Sequence, residues 1–370
     1  MQPIENEFKT IVIVGVGLIG GSLGLAIRRK YPDMRIAGVS SKDSITSALE
    51  MGAITEGYGY DELARAVQGA DIVALCTPIH HIQEILTQLA PLLCNGMLVT
   101  DVGSTKRAIT SHAMDIFPEG VYFIGGHPMA GSEKRGVGAA DPFLFQNAIY
   151  VLCPAGNVSC EMLDRFSRLV ESLGAHIVLM DADTHDQIAA AVSHLPQMIA
   201  VSLVEMIGEL DSENAPYLRL AAGGFRDMTR IASSQFSMWD DICSTNDDAI
   251  REVIDQFIEQ LRKIRDRIGA PTLGKDFEAA NTIRATIPKD TKGFIKTLSE
   301  ILVVVEDKPG VIARIATHLA ASDININDIE VLKVREGEGG TLRLAFEHER
   351  EAVAAIDLLE RIGYRARLRK

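Results

Sequence analysis

A histidine on a short glycine-flanked segment after a buried strand is a place where α/β enzymes put chemistry, and His127 has that setting. The strand-like run 121–124 ends in Gly125 and Gly126, which free the backbone to turn, and Pro128 follows the histidine and fixes its own φ. Imidazole exchanges protons near neutral pH, so the chemistry on offer is general acid–base work. The competing reading is a capped turn with a solvated imidazole. A second cluster suits an anion. Arg226 and Arg230 stand four apart after Gly223 and Gly224, on one face if the segment is helical. Guanidinium meets carboxylate through paired, planar hydrogen bonds. In a chain of net charge −13 such a pair is a candidate anion site, unless Asp227 and nearby glutamates neutralise it. His194 lies inside a long apolar run beside Pro196. Proline kinks a helix and frees backbone groups next to it, so His194 is a plausible cleft wall as well as a core residue.

These groups need a scaffold, and the first half of the chain reads as a nucleotide-binding sheet. Residues 10–14 are a short β-branched run of the kind found in buried parallel strands. Gly15-Val16-Gly17-Leu18-Ile19-Gly20 follows, then a helical pattern to residue 30. This is GxGxxG at a strand-to-helix turn, where phosphates of a dinucleotide sit at the helix N-terminus. The second strand, 35–39, ends in Ser40-Ser41-Lys42 instead of a carboxylate. Small hydroxyls plus a cation favour the 2′-phosphate of NADP slightly, although Asp43 or backbone groups can serve NAD. Strand–helix alternation continues through strands at 71–76 and 97–100, with helices at 44–51, 60–68 and 79–93. Strand tips of a parallel sheet line one crevice, so Thr77, Pro78, Asp101, Ser104 and His127 are expected to converge there. His80 and His81 diverge on a helix and read as surface or packing residues. Residues 148–154 close the sheet, and 159–172 and 176–180 add a last helix and strand.

From residue 183 the period is helical to about 285. Thr184 and Asp186 suit a helix start. The run 187–208 is apolar on most sides, which predicts a buried helix, with a homodimer interface as one way to bury it. Trp239 reads as packing, and 249–268 as an amphipathic helix. Residues 287–293 form a linker by their proline, glycine and charges. Beyond it the pattern is β-α-β-β-α-β, the ferredoxin-like order, with a strand at 324–333 and a hairpin turn at 337–340. The expected architecture is α/β: a Rossmann-type doubly wound sheet (1–181), an all-α helical domain (182–286) and a ferredoxin-like domain (298–370).

Composition narrows the function classes. A length of 370 residues calls for two or three domains. The acidic balance, pI about 5.2, argues against nucleic acid as a partner. Five scattered cysteines without a CxxC pair argue against a disulfide framework or a zinc site and for a reducing compartment. The polar, acidic N-terminus is no signal peptide, and no apolar run reaches the ~18 residues of a membrane span. The expectation is a cytoplasmic protein.

Five motifs, taken together, resemble the prephenate/arogenate dehydrogenase family of tyrosine biosynthesis: residues 15–22, 101–106, 126–132, 193–196 (Ser-His-Leu-Pro) and 223–232. The tail is similar to an ACT domain through 307–312 and Asn325-Ile326-Asn327. The resemblance implies NAD- or NADP-dependent oxidative decarboxylation of prephenate to 4-hydroxyphenylpyruvate, with arogenate as the alternative substrate. It implies that His127 is the catalytic base, that Ser104 orients it, and that Arg230 binds the substrate carboxylate with Arg226 nearby. His194 and Ser132 would meet the substrate, and the tail would bind tyrosine as effector around Gly310, Val311, Asn325 and Asn327. Ser40 replaces the usual acidic residue, and Gln197 stands where many members have a second histidine. A β-hydroxyacid dehydrogenase of similar build would need a lysine on the long helix, and 187–208 has none. A non-catalytic amino-acid sensor would have no need of His127, Ser104 and Arg230 together.

Overall fold

The structure, a computed structural model, describes residues 8–131, 134–156, 158–212, 215–287, 298–306, 308–332 and 340–369, the side chain of Met238 excepted. The chain forms two compact units, 1–277 and 278–370.

The first unit is built on eight strands: β1 (Thr10–Val14), β2 (Arg35–Val39), β3 (Glu56–Tyr58), β4 (Ile72–Leu75), β5 (Leu98–Asp101), β6 (Tyr122–Pro128), β7 (Ile149–Pro154) and β8 (His176–Leu179). Their order is β3-β2-β1-β4-β5-β6-β7-β8. All five residues of β1 are buried because helices cover both faces, the arrangement that short Val/Ile runs require. The covering helices are α1 (Leu18–Lys30), α2 (Lys42–Glu50), α3 (Leu63–Ala66), α4 (Ile79–Leu89), α5 (Arg107–Ile116) and α6 (Cys160–Ser172). The first six strands pair in parallel, but β7 returns antiparallel on β6 and β8 runs parallel to β7. Among the described residues, the connection from β6 to β7 carries a short 3₁₀ turn, Val137–Ala139, and no crossover helix.

That reversal positions the site. The expectation of a turn at Gly125-Gly126 is corrected: β6 runs straight through both glycines, His127 and Pro128. Thr100↔Ile124 is the last β5–β6 pair, whereas Gly125 to Pro128 pair with β7, His127 opposite Val151. The glycines serve close approach instead of turning. A Cβ on Gly126 would lie 2.5 Å from the Asp101 carbonyl oxygen and 3.0 Å from the Tyr150 ring.

Beyond β8, helices α7 (Ala182–Ala189) and α8 (Leu195–Leu210) are joined through a π-helical turn, Ala190–His194, directly before Pro196. Helices α9 (Gly223–Thr229), α10 (Phe236–Thr245), α11 (Asp247–Asp266) and α12 (Leu273–Thr286) follow. Asp181, not Thr184 or Asp186, caps α7, its carboxylate accepting from the Thr184 N–H at 2.8 Å. Within the single chain the long apolar helix is only partly covered: Val192 is 64% and Met206 50% exposed. Residues Ala182–Leu210 also reach the length and apolarity of a membrane span, against the run-length expectation. The helix nevertheless hydrogen-bonds through His185, Asp186 and Gln197 to segments of the same unit, as a packed helix does.

The second unit contains β9 (Ser299–Val305), α13 (Val311–Ala321), β10 (Asp328–Leu332), β11 (Gly340–Phe346), α14 (Glu349–Arg361) and β12 (Arg365–Leu368). Its antiparallel sheet has the order β10-β11-β9-β12, the ferredoxin-like arrangement. Strand β10 starts four residues later than expected, because the Ile324 N–H returns to the Leu319 carbonyl after α13. The expected hairpin turn falls largely on 333–339, outside the described residues.

Candidate active site

The glycine-rich turn is shaped for a dinucleotide. Gly15 has φ +93°, and a Cβ there would sit 2.8 Å from the Cys76 carbonyl. Gly20 packs α1 on β1, its added Cβ 2.3 Å from the Gly15 oxygen, while a Cβ on Gly17 meets nothing within 4 Å. The open side of Gly17 leaves room for a pyrophosphate to approach. Gly17 caps α1 with no side chain, so the first-turn N–H groups at Leu18 and Ile19 have no side-chain cap, the setting in which a helix start takes an anion. At the tip of β4, Thr77 Oγ1 is buried without a partner among the described residues, and Pro78 is the N-cap of α4. An orphaned hydroxyl beside the glycine turn is what a cofactor polar group would satisfy. Ser40 is buried after β2, Ser41 caps α2 through Ser44, and Lys42 is exposed.

Asp101 departs from expectation. It is fully buried, and its carboxylate holds Lys106 Nζ and accepts the N–H groups of Gly103 and Gly126. The Asp101 carboxylate therefore shapes the turn carrying half-buried Ser104. Lys106, equally buried, closes the pair as a buried ion pair requires.

His127 heads a chain of hydrogen bonds. His127 Nδ1 lies 2.8 Å from His185 Nε2, and His185 Nδ1 lies 2.7 Å from Asp186 Oδ1. Asp186 Oδ1 also accepts the Lys106 N–H at 2.7 Å, and Oδ2 accepts the Arg107 N–H at 3.0 Å. The carboxylate of α7 thus caps the N-terminus of α5. An ionised carboxylate only accepts, so His185 carries hydrogen on Nδ1 and presents a bare Nε2. His127 must then donate through Nδ1, which leaves its own Nε2 as a free lone pair. Burial first, then the neighbouring His185, Lys106 and His194, hold the His127 imidazole well below its ordinary range. It is therefore neutral at pH 7 and competent as a base.

Asn246, wholly buried, ties the second histidine to this chain: its Nδ2 donates to the Asp186 carbonyl at 2.8 Å and contacts His194 Nδ1 at 3.4 Å. The His194 ring meets Trp239 edge-on, centroids 5.9 Å apart. Trp239 packs as expected, and its Nε1 is buried without a partner. Gln197, one turn along α8, donates to the Ile231 carbonyl at 3.1 Å. Arg230 begins that 3₁₀ segment, Arg230–Ser233, and is exposed. The structure thus links His127, His185, Asp186, Asn246, His194 and, through α8, the Arg230 segment. Arg226 is exposed and turned back, donating to the Ala221 carbonyl through Nη2 at 3.1 Å. That hydrogen bond, not a shared face with Arg230, sets its direction. Ser132 lies outside the described residues. His80 bridges to Asp241 on α10 at 2.9 Å, and His81 to Glu84, in keeping with their surface reading. The sequence reading missed His185, Lys106 and Asn246, and took Asp186 only as a helix-start residue.

Burial also lowers the His194 imidazole to about 4. The unfolded chain binds that proton at ~6.5, so this contribution to stability is complete above pH ~6.5 and lost as pH falls towards 4. The loss is roughly 3 kcal/mol. The acid-side fall in Tm over this window is expected to shrink in His194→Gln, and thermal scans with equal falls in both proteins would contradict it.

Comparison with known proteins fits this geometry. Residues 23–179 match the family described as prephenate dehydrogenase, nucleotide-binding domain, and 181–276 match its dimerization domain. The prephenate dehydrogenase of Bacillus subtilis (strain 168) is 37% identical over 361 residues, 96% of this chain and 97% of that protein. The chain belongs to the prephenate dehydrogenase family. Like that family, it is a nicotinamide-dependent oxidoreductase. Residues 299–363 match the ACT domain. The crystal structure of prephenate dehydrogenase from A. aeolicus in complex with hydroxyphenyl propionate and NAD+ superposes with a TM-score of 0.71 at 29% identity, covering 76% of this chain and 99% of that one. Synechocystis arogenate dehydrogenase gives a TM-score of 0.68 at 32% identity, covering 75% and 99%.

Proposed function

We propose that this chain oxidatively decarboxylates prephenate to 4-hydroxyphenylpyruvate, with His127 Nε2 as the base. The observation that carries the reading is the continuous hydrogen-bonded chain from His127 Nδ1 through His185 to Asp186, which assigns the Nε2 lone pair of His127 to the substrate. Prephenate bears a hydroxyl and a hydrogen on C4 and a carboxylate on C1. A nicotinamide held by the glycine turn would supply the acceptor for the C4 hydride. His127 takes hold of the hydroxyl proton as that hydride departs. The C1 carboxylate leaves as CO2, and its bonding electron pair completes the aromatic ring. Ser104 orients His127 and substrate, Arg230 holds the ring carboxylate, and His194, Ser132 and Arg226 border the substrate. Atom balance needs no net proton: the phenolic oxygen of the product takes back what the hydroxyl lent. General-base help of this kind contributes ~10²–10⁴-fold.

The cofactor lies over Gly15 to Gly20, with Thr77 and Pro78 beside it. Ser40, Ser41 and Lys42 present no carboxylate to a 2′-phosphate, which favours NADP slightly over NAD. We read the domains as 1–181, 182–286 and 298–370. The exposed apolar side chains of the long helix are suited to a homodimer. Tyrosine is the proposed effector, at Gly310, Val311, Asn325 and Asn327, and the compartment is cytoplasmic, where the cysteines, all free, stay reduced. An assay matrix tests this: prephenate and arogenate, NAD and NADP, each with and without tyrosine. Prephenate-dependent cofactor reduction, suppressed by tyrosine, is expected. Turnover of arogenate alone would move the substrate assignment, and no turnover of either would remove the activity.

A further inference from the structure

We propose that His185 and Asp186 work with His127 as one proton-holding unit, fixing its tautomer and sharing the charge it acquires when it takes the substrate proton. This rests on the reading of His127 as base and adds two positioning residues to it. Three observations carry it. The bonds His127–His185 and His185–Asp186 are short, at 2.8 and 2.7 Å, and continuous. The far end is ionic, because the Asp186 carboxylate also accepts two backbone N–H groups at the start of α5, the positive end of a ten-residue helix. The unit is enclosed beyond its first member: His185 and Asp186 are buried, and His127 is half-buried.

An enclosed relay suits this reaction, because its proton has nowhere it needs to go. As hydride leaves C4, the hydroxyl proton moves onto His127 Nε2. The Nδ1 hydrogen of the resulting imidazolium leans toward His185 Nε2, and the Nδ1 hydrogen of His185 toward Asp186. When the C1–CO2 bond breaks and its electron pair enters the ring, the phenolic oxygen, with a pKa of ~10, reclaims the proton. The unit stores charge for one turnover and returns it to the oxygen it came from. The charged or titratable groups around it are Lys106, held by Asp101, and His194 on the π-turn, which Asn246 joins to the Asp186 backbone.

The test uses the full-length protein. His185→Gln, which cannot carry charge, is expected to lower kcat roughly 10- to 100-fold, with KM for prephenate and cofactor within about twofold. The acid limb of its kcat profile is expected to shift from that of the wild type. Asp186→Asn keeps one acceptor for the two backbone N–H groups at the start of α5 and lets His185 adopt the other tautomer; it is expected to lose kcat likewise, with a lower Tm because the cap on α5 is weakened. Nitrogen NMR of histidine-labelled wild type reads the tautomers without any variant. Hydrogen on Nδ1 of both His127 and His185 supports the unit, and hydrogen on His127 Nε2 overturns it. An active wild type that needs His127, combined with an unchanged kcat and pH profile in His185→Gln, overturns this proposal and leaves the reading of His127 standing. A His127→Asn protein with wild-type turnover removes the reading itself.

Discussion

Replacing His127 with asparagine is expected to lower kcat on prephenate by at least ~10²-fold while leaving cofactor affinity intact. Asparagine can place a donor near the position of Nδ1 and so keep a bond toward His185. It has nothing in place of Nε2, the atom left free by that bond. The proposed cofactor contacts lie on the glycine turn after β1, another strand of the sheet, so binding should not follow turnover down. Because burial depresses the imidazole's proton affinity, the wild-type kcat/KM should hold level through the ordinary histidine range near pH ~6.5 and fall only below it. Steady-state kinetics across pH, with cofactor titration by fluorescence, measures both. Near-wild-type turnover in the variant would remove His127 as the base.

The second large effect is expected at Arg230. Truncation to alanine should mainly raise KM for prephenate, because a charge-assisted pair with a carboxylate contributes about 1.5–3 kcal/mol, roughly 10- to 100-fold. Arg230 is exposed, so the variant should fold. Arg226 provides the control. Its guanidinium already donates to the Ala221 carbonyl, so Arg226→Ala should change KM less. An unchanged KM in Arg230→Ala would place the carboxylate site elsewhere.

What the sequence disclosed, and what it hid, divides along physical lines. The nucleotide turn was legible because three glycines at fixed spacing between a strand and a helix answer to one geometry, and Gly15, Gly17 and Gly20 meet it. The ferredoxin-like order of the second unit was legible because alternation of short periods survives in any context. The glycines before His127 misled, because Gly signals both a turn and a close approach, and only the position of Asp101 across the strand decides between them. The apolar helix was legible in part: periodicity shows which side chains want cover, not what covers them. His185 and Asp186 were illegible as site residues because they lie 58 and 59 positions from His127. No local spacing encodes a hydrogen bond between a sheet edge and a distant helix. Gln197 shows the same limit in reverse. It looked like a missing histidine, yet its amide fastens the carbonyl next to Arg230.

The account stands most directly on where the reacting oxygen binds. A crystal structure with nicotinamide cofactor and 4-hydroxyphenylpyruvate should place the phenolic oxygen within hydrogen-bond distance of His127 Nε2, with His127 Nδ1 still on His185. A product whose oxygen lies away from that nitrogen, or a His127 ring turned so that Nε2 faces His185, would contradict it.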